Sequence, residues 1–181
     1  MKSIIYVAVL VYLFQASFLP LTQCSVYLPT DANLIAQTCQ KTPKPDLFIS
    51  SLKSVPGSSD ADMKHLALIM CDKVLKGKAQ NALNIINNLL KQTPIGSKKA
   101  LLACADYYTT IIEFHIEKQA HNGITGVQPR MAAQQAMDDT VYLVKECNNG
   151  LGFSSKSPLA VTSASVDDFA AITKAMVQIL S

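Results

Sequence analysis

Tryptophan is absent from this 181-residue chain, and charged residues make up only 16% of it. Part of the shortage of charge is local. Residues 1–24 hold a single charged side chain, Lys2, followed by an unbroken apolar run over 4–14 and a softer stretch to Thr22, Gln23 and Cys24. Charge, length and position predict a secretory signal peptide over residues 1–24, with cleavage after Cys24. The run is too short and too terminal for a membrane span. Without the leader the formal charge falls from +3 to +2, with 15 basic against 13 acidic residues. Neither a basic stripe nor interleaved aromatics occur, which argues against a nucleic-acid partner.

Other absences narrow the chemistry. There is no Gly-x-Ser-x-Gly elbow and no His-Glu-x-x-His, so the common hydrolase signatures are missing. No Cys-x-x-Cys pair occurs, and His65, His115 and His121 stand apart from the cysteines, so neither a zinc site nor another cofactor is expected. No Asn-x-Ser/Thr sequon occurs, and no N-glycan is expected. No segment alternates with the period of a strand.

What the chain does have is helical periodicity. Leu101, Cys104, Tyr108, Ile111, Ile112 and His115 form one stripe, and Ala133, Met137, Val141, Val144 and Cys147 another. Steps of three and four place each set on one helix face. Between them Gly123 and Gly126 are expected to break the first helix, and Pro129 suits the first turn of the second. The short connection makes the two helices antiparallel. Cys104 and Cys147 then fall at the end opposite the turn, where a disulfide can close the hairpin.

A long helix is expected before this hairpin, from a cap at Ser59 with Asp60 and Asp62 in its first turn, through Leu66, Ile69, Met70, Val74, Leu83, Ile86 and Leu90 to about Gln92. Gly77 admits a kink or a close crossing within it. Ser97 is expected to cap the helix of Cys104. A last helix is expected from Ser165, with Val166, Phe169, Ile172, Met176 and Ile179 buried. Ahead of these, residues 31–56 read as two short helical pieces around Pro43 and Pro45. The predicted fold is all-α: an up-down-up-down four-helix bundle over 57–181 with an N-terminal helical hairpin over 25–56, in one domain.

In a secreted chain disulfides are the default state of cysteine. After cleavage at the expected site four remain, Cys39, Cys71, Cys104 and Cys147, an even number that allows three connectivities.

Several stretches resemble the plant invertase and pectin methylesterase inhibitor family. Residues 34–43 (LIAQTCQKTP) and 46–52 (DLFISSL) resemble its opening motif. Ala103-Cys104-Ala105-Asp106-Tyr107-Tyr108 resembles its third-cysteine helix, and Ala136-Met137-Asp138-Asp139, with Cys147 downstream, its fourth. Ser157-Pro158-Leu159 and the last helix fit as well. The chain is also similar to the family's pollen branch of invertase inhibitors, some of them allergens.

The resemblance implies a disulfide-stabilised, non-enzymatic protein, with Cys104–Cys147 matching the family's second bridge. Two departures stand out. The family has a cysteine nine residues after its first, where this chain has Phe48, and Cys71 is extra. A Cys39–Cys71 bridge is one repair; two free thiols, or a Cys24–Cys39 bridge with earlier cleavage, are the others.

The resemblance further implies a secreted protein, placed in the cell wall or apoplast or in the vacuole, that occludes one plant enzyme. Acid invertase is the first candidate partner. There the family inserts a Pro-Lys-Phe turn into the sugar pocket, and the nearest equivalent here is Pro129, Arg130 and Met131. Arginine keeps the charge but offers a two-pronged fork in place of a point charge. The blander reading makes Pro129 a helix-start proline, Arg130 a solvated residue and Met131 part of the core. Pectin methylesterase is the alternative, through a polar face of Asp106, Thr109, Thr110 and Glu113 with Gln134, Gln135, Asp138 and Asp139. A protein that keeps the inhibitor fold without inhibiting is a further alternative. A monomer is expected.

Overall fold

The computed structural model describes residues 38–152 and 157–180. The expected leader, Cys24 and the start of the first N-terminal helix lie outside the described residues. No strand occurs among the described residues. No helix among them is long and apolar enough to cross a membrane.

Of the two short N-terminal pieces expected, the second forms and most of the first lies outside the described residues. Residues 38–41 are helical, and α1, Pro45–Lys53, opens with proline at its start. Prolines at 43 and 45 remove two N–H groups from the break between them. Thr42 Oγ1 supplies a substitute contact by donating to the Cys39 carbonyl at 2.9 Å. Cys39, Phe48 and Leu52 bury completely or nearly so, which docks the hairpin on the bundle. Ser58 Oγ donates to the Leu52 carbonyl at 2.7 Å and ties the following loop back to α1.

The bundle begins with α2, continuous over residues 63–92. It comprises Met63–Leu68, a wider π-helical stretch Ile69–Leu75, and Lys76–Gln92. Its cap is Asp62, not Ser59: the Asp62 carboxylate accepts from the His65 N–H at 2.8 Å and from the His65 ring at 2.9 Å. Both bonds favour the ionised acid and hold the Asp62 carboxyl below its ordinary range. Ser59 lies instead in a 3-10 turn behind Gly57, whose φ is 82°. Gly77 makes no close crossing, since a Cβ there meets nothing within 4 Å.

The next helix, α3, runs over residues 99–125 as Lys99–Thr110, a π-helical stretch Ile111–Ala120, and His121–Thr125. The π stretch spends extra residues per turn and so carries the apolar stripe forward. Ile116, Ala120, Gly123 and Ile124 continue the buried face beyond His115. Ser97 does not cap this helix; it belongs to a 3-10 turn, and Lys98 precedes α3 without a side-chain cap. The helix α4 is Arg130–Leu151, ended by Gly152 at φ 55°. The helix α5 is Pro158–Ile179, two turns longer at its start than expected. Ser157 caps it, accepting from the Ala160 N–H at 3.1 Å, with Pro158 at the first position.

Each helix packs on its chain neighbour, and α5 closes the square against α2. Tyr108, Ile111, Ile116, Leu66, Met70, Leu75, Ile86 and Met137 are among the fully buried side chains. The Cys104–Cys147 disulfide joins α3 to α4 with the Cα atoms 4.8 Å apart. The Cys39–Cys71 bridge does not form. Cys39 is disulfide-bonded, while Cys71 is a buried free thiol. Cys71 lies between Met70 and the next core residue, Leu75, in the π stretch and behaves as a core side chain. Burial, aided by the neighbouring Asp72 carboxylate, pushes its thiol well above the usual range.

Candidate functional site: the turn between α3 and α4

The α3–α4 turn lies at the opposite end of the hairpin from the disulfide. Gly126 ends α3 in the left-handed region, at φ 91°, a conformation that glycine adopts without a steric penalty. The N–H groups of Gly126 and Gln128 both donate to the Asn122 carbonyl at 3.0 Å. Pro129 then sits extended, at φ −57° and ψ 139°, and starts α4; the Ala132 N–H donates to its carbonyl at 2.9 Å. A second strap comes from α2, where Lys64 Nζ donates to the Thr125 carbonyl at 2.9 Å. Eight residues further along α2, Asp72 meets His121 at 2.8 Å. The turn is thus anchored on its α3 side.

Val127, Gln128, Pro129, Arg130 and Met131 are all exposed on it. Arg130 is exposed and has no hydrogen bond or ion pair among the described residues. Met131 is 78% exposed, so it is not part of the core, and Val127 is 75% exposed. In sequence, one cation therefore stands between two exposed apolar residues. Val127 was not singled out from sequence; an apolar residue between Gly126 and Pro129 was the available signal.

The polar face does not assemble as one surface. Thr109 and Glu113 line a groove of about 370 Å³ between α2 and α3, with Gln80 and Asn84. Asp138 points the other way, into a groove of about 520 Å³ between α4 and α5, where Lys174 Nζ lies 2.6 Å from its carboxylate. Asp139 accepts from the Gln135 amide at 2.9 Å and lies 4.0 Å from His115 Nδ1. Adjacent residues on a helix diverge by about 100°, so Asp138 and Asp139 serve opposite flanks of α4. His115 is 7% exposed and meets Gln119 Oε1 at 2.8 Å, the arrangement of a satisfied core histidine. Among the described residues no three His, Cys, Asp or Glu side chains converge as metal ligands would.

A family model described as plant invertase/pectin methylesterase inhibitor matches residues 33–178. The chain is 34% identical over 147 residues to the cell wall / vacuolar inhibitor of fructosidase 1 of Arabidopsis thaliana, covering 81% of this chain and 69% of that protein. Among solved structures it is similar to a mutant form of a pectin methylesterase inhibitor from Arabidopsis, with a TM-score of 0.65 at 18% identity over 80% of this chain and 95% of that one. A further structure, of a pectin methylesterase inhibitor from Arabidopsis thaliana, superposes with a TM-score of 0.58 at 16% identity over 84% of this chain and 99% of that one. At such identities the structures speak for the fold, and the matched sequence for the lineage. By its sequence match and its helical bundle, the chain belongs to the plant invertase/pectin methylesterase inhibitor family.

Proposed function

We propose that this protein is a secreted, non-enzymatic inhibitor of a plant acid invertase and that the α3–α4 turn enters the enzyme's sugar pocket. The observation that carries the reading is Arg130: an exposed guanidinium, unpaired among the described residues, next to a turn tied down on its α3 side. The target of such a group is chemically defined. A retaining glycosidase holds two carboxyl groups about 5–5.5 Å apart in a concave site. A guanidinium donates two parallel hydrogen bonds to a carboxylate, stronger than those between neutral groups. Because the turn is pre-ordered, little conformational entropy is lost on docking. The relative named for fructosidase inhibition supports the choice of enzyme, and the compartments in its name support the cell wall or vacuole as the site of action.

The test is a paired titration of the oxidised protein against a plant acid invertase and a plant pectin methylesterase. Inhibition of the invertase, weakened at least tenfold by Arg130→Ala (about 1.4 kcal/mol), is the expected result. Inhibition of the esterase alone rejects the invertase reading. If neither enzyme responds, the chain keeps the family's fold without its inhibitory action.

A further inference from the structure

Gly123 poses a question that its backbone does not answer. It lies inside the last turn of α3 with ordinary helical geometry; only Gly57, Gly126 and Gly152 have positive φ. A glycine at such a position costs roughly 1 kcal/mol relative to alanine. Its lack of a side chain is therefore used for space. A Cβ built on Gly123 falls 2.7 Å from Ala133 Cβ, 3.0 Å from Ala133 N and 3.3 Å from Ala133 Cα. Two of those three atoms are backbone, so no rotamer change relieves the clash. Gly77, the other glycine set well inside a long helix stretch, meets nothing within 4 Å. The close approach is specific to the turn.

We propose that Gly123 is a positioning residue for Arg130, acting through its crossing with Ala133. This rests on the reading of the turn as the inhibitory element. Ala133 lies in the first turn of α4, three residues after Arg130, so the two move together. Restoring a normal carbon–carbon contact of about 3.5–4.0 Å requires the start of α4 to retreat by about 1 Å. The disulfide holds the far ends of α3 and α4 4.8 Å apart at Cα, so that retreat becomes a tilt concentrated at the turn. The Lys64 strap and the bonds to the Asn122 carbonyl fix the α3 side and cannot follow. The glycine thus sets where the guanidinium sits relative to the rest of the contact surface.

The experiment compares inhibition constants against the same acid invertase for the oxidised wild type, Gly123→Ala, Ala133→Gly, the double variant and Arg130→Ala, with melting temperatures alongside. Gly123→Ala is expected to weaken inhibition by roughly ten- to a hundredfold, the scale of a 1 Å misplacement. Ala133→Gly removes the shortest of the three contacts but leaves those to Ala133 N and Cα, so the double variant is expected to recover part of that loss. A purely structural role would track the melting temperature and would not be rescued in inhibition. If Arg130→Ala weakens inhibition but folded Gly123→Ala inhibits like wild type, the positioning role is overturned by itself. If Arg130→Ala has no effect, the tip reading falls first and this inference with it. Should Gly123→Ala not fold, the double variant decides: restored folding with inhibition supports the crossing, and restored folding without inhibition overturns it.

Discussion

Tyr108 Oη and Ser163 Oγ lie 2.8 Å apart in the middle of the bundle, joining α3 to α5 across its diagonal. Both side chains are fully buried. Burial pushes the Tyr108 hydroxyl up to about 12, the bond to Ser163 opposing the shift in part. The folded state therefore holds this proton more tightly than the unfolded chain does. That contribution is complete below pH 10 and is lost as pH rises toward about 12. Absorbance titration should show one tyrosine ionising only as the bundle unfolds. Tyr108→Phe should flatten the alkaline stability loss and lower stability at neutral pH by about 1 kcal/mol, since Ser163 can turn back to its own helix carbonyl.

The two apolar neighbours of Arg130 define a second prediction. Val127 and Met131 are exposed by 75% and 78%, so replacing each with serine leaves the core untouched. Melting temperatures should stay within about 1 °C of wild type, as for ordinary surface changes. Inhibition of the acid invertase should weaken several-fold for each, because each loses apolar area of the order of 1 kcal/mol on docking. Unchanged inhibition constants for both variants would confine the contact to Arg130.

Removing the Cys104–Cys147 bridge should separate stability from recognition. The bridge closes a span of 43 residues. The chain-entropy account assigns such a loop about 4 kcal/mol. The double serine variant should therefore unfold at markedly lower urea concentration. The turn proposed to inhibit lies some 17 residues of helix away from Cys147, roughly 25 Å, so inhibition by the folded fraction should persist. A loss of inhibition without a shift in the urea midpoint would contradict this.

Asp167 carries the clearest electrostatic cost. One carboxylate oxygen is buried without a hydrogen-bond partner among the described residues. Burial raises its pKa; Lys145 opposes the shift in part and Asp168 adds to it. The folded state thus binds this proton more readily than the unfolded chain. Stability from the group is fully present below the unfolded value of 3.8 and declines as pH rises through the higher folded value. Asp167→Asn should raise the melting temperature at pH 7 by about 2–4 °C, and the gain should shrink as the pH is lowered to 3.

The bundle was legible because burial follows a simple period. The stripe from Leu101 to His115 lies on the core face as expected. The π stretches were not legible, because an i→i+5 turn is selected by packing partners rather than by composition. Their effect is visible in α2, where Ile69 and Val74 are only half-buried while Met70, Cys71 and Leu75 take the core. The helix α5 starts at Pro158 rather than Ser165, a difference the sequence hides because Thr162, Ser163 and Ser165 are weak helix formers. Thr162 and Ser165 in fact return their hydroxyls to the carbonyls of Pro158 and Val161, satisfying within the helix the groups that argue for a loop. At the site, the exposure of Arg130 was readable from the Gly-to-Pro turn. The division of the polar face was not, since a list of polar residues on two helices does not say which groove each one enters.

Cys71 has a use beyond packing. It is the one free thiol among the described residues, 0% exposed, in the stretch of α2 against which both α1 and α5 pack. Alkylating reagents attack the thiolate, and burial suppresses both that form and its access. Any labelling of the native protein must therefore pass through an opened state. The labelling rate becomes a clock for that opening, readable by mass on the unmodified chain, and its ratio to the rate of an unfolded control gives the free energy that seals the N-terminal hairpin onto the bundle.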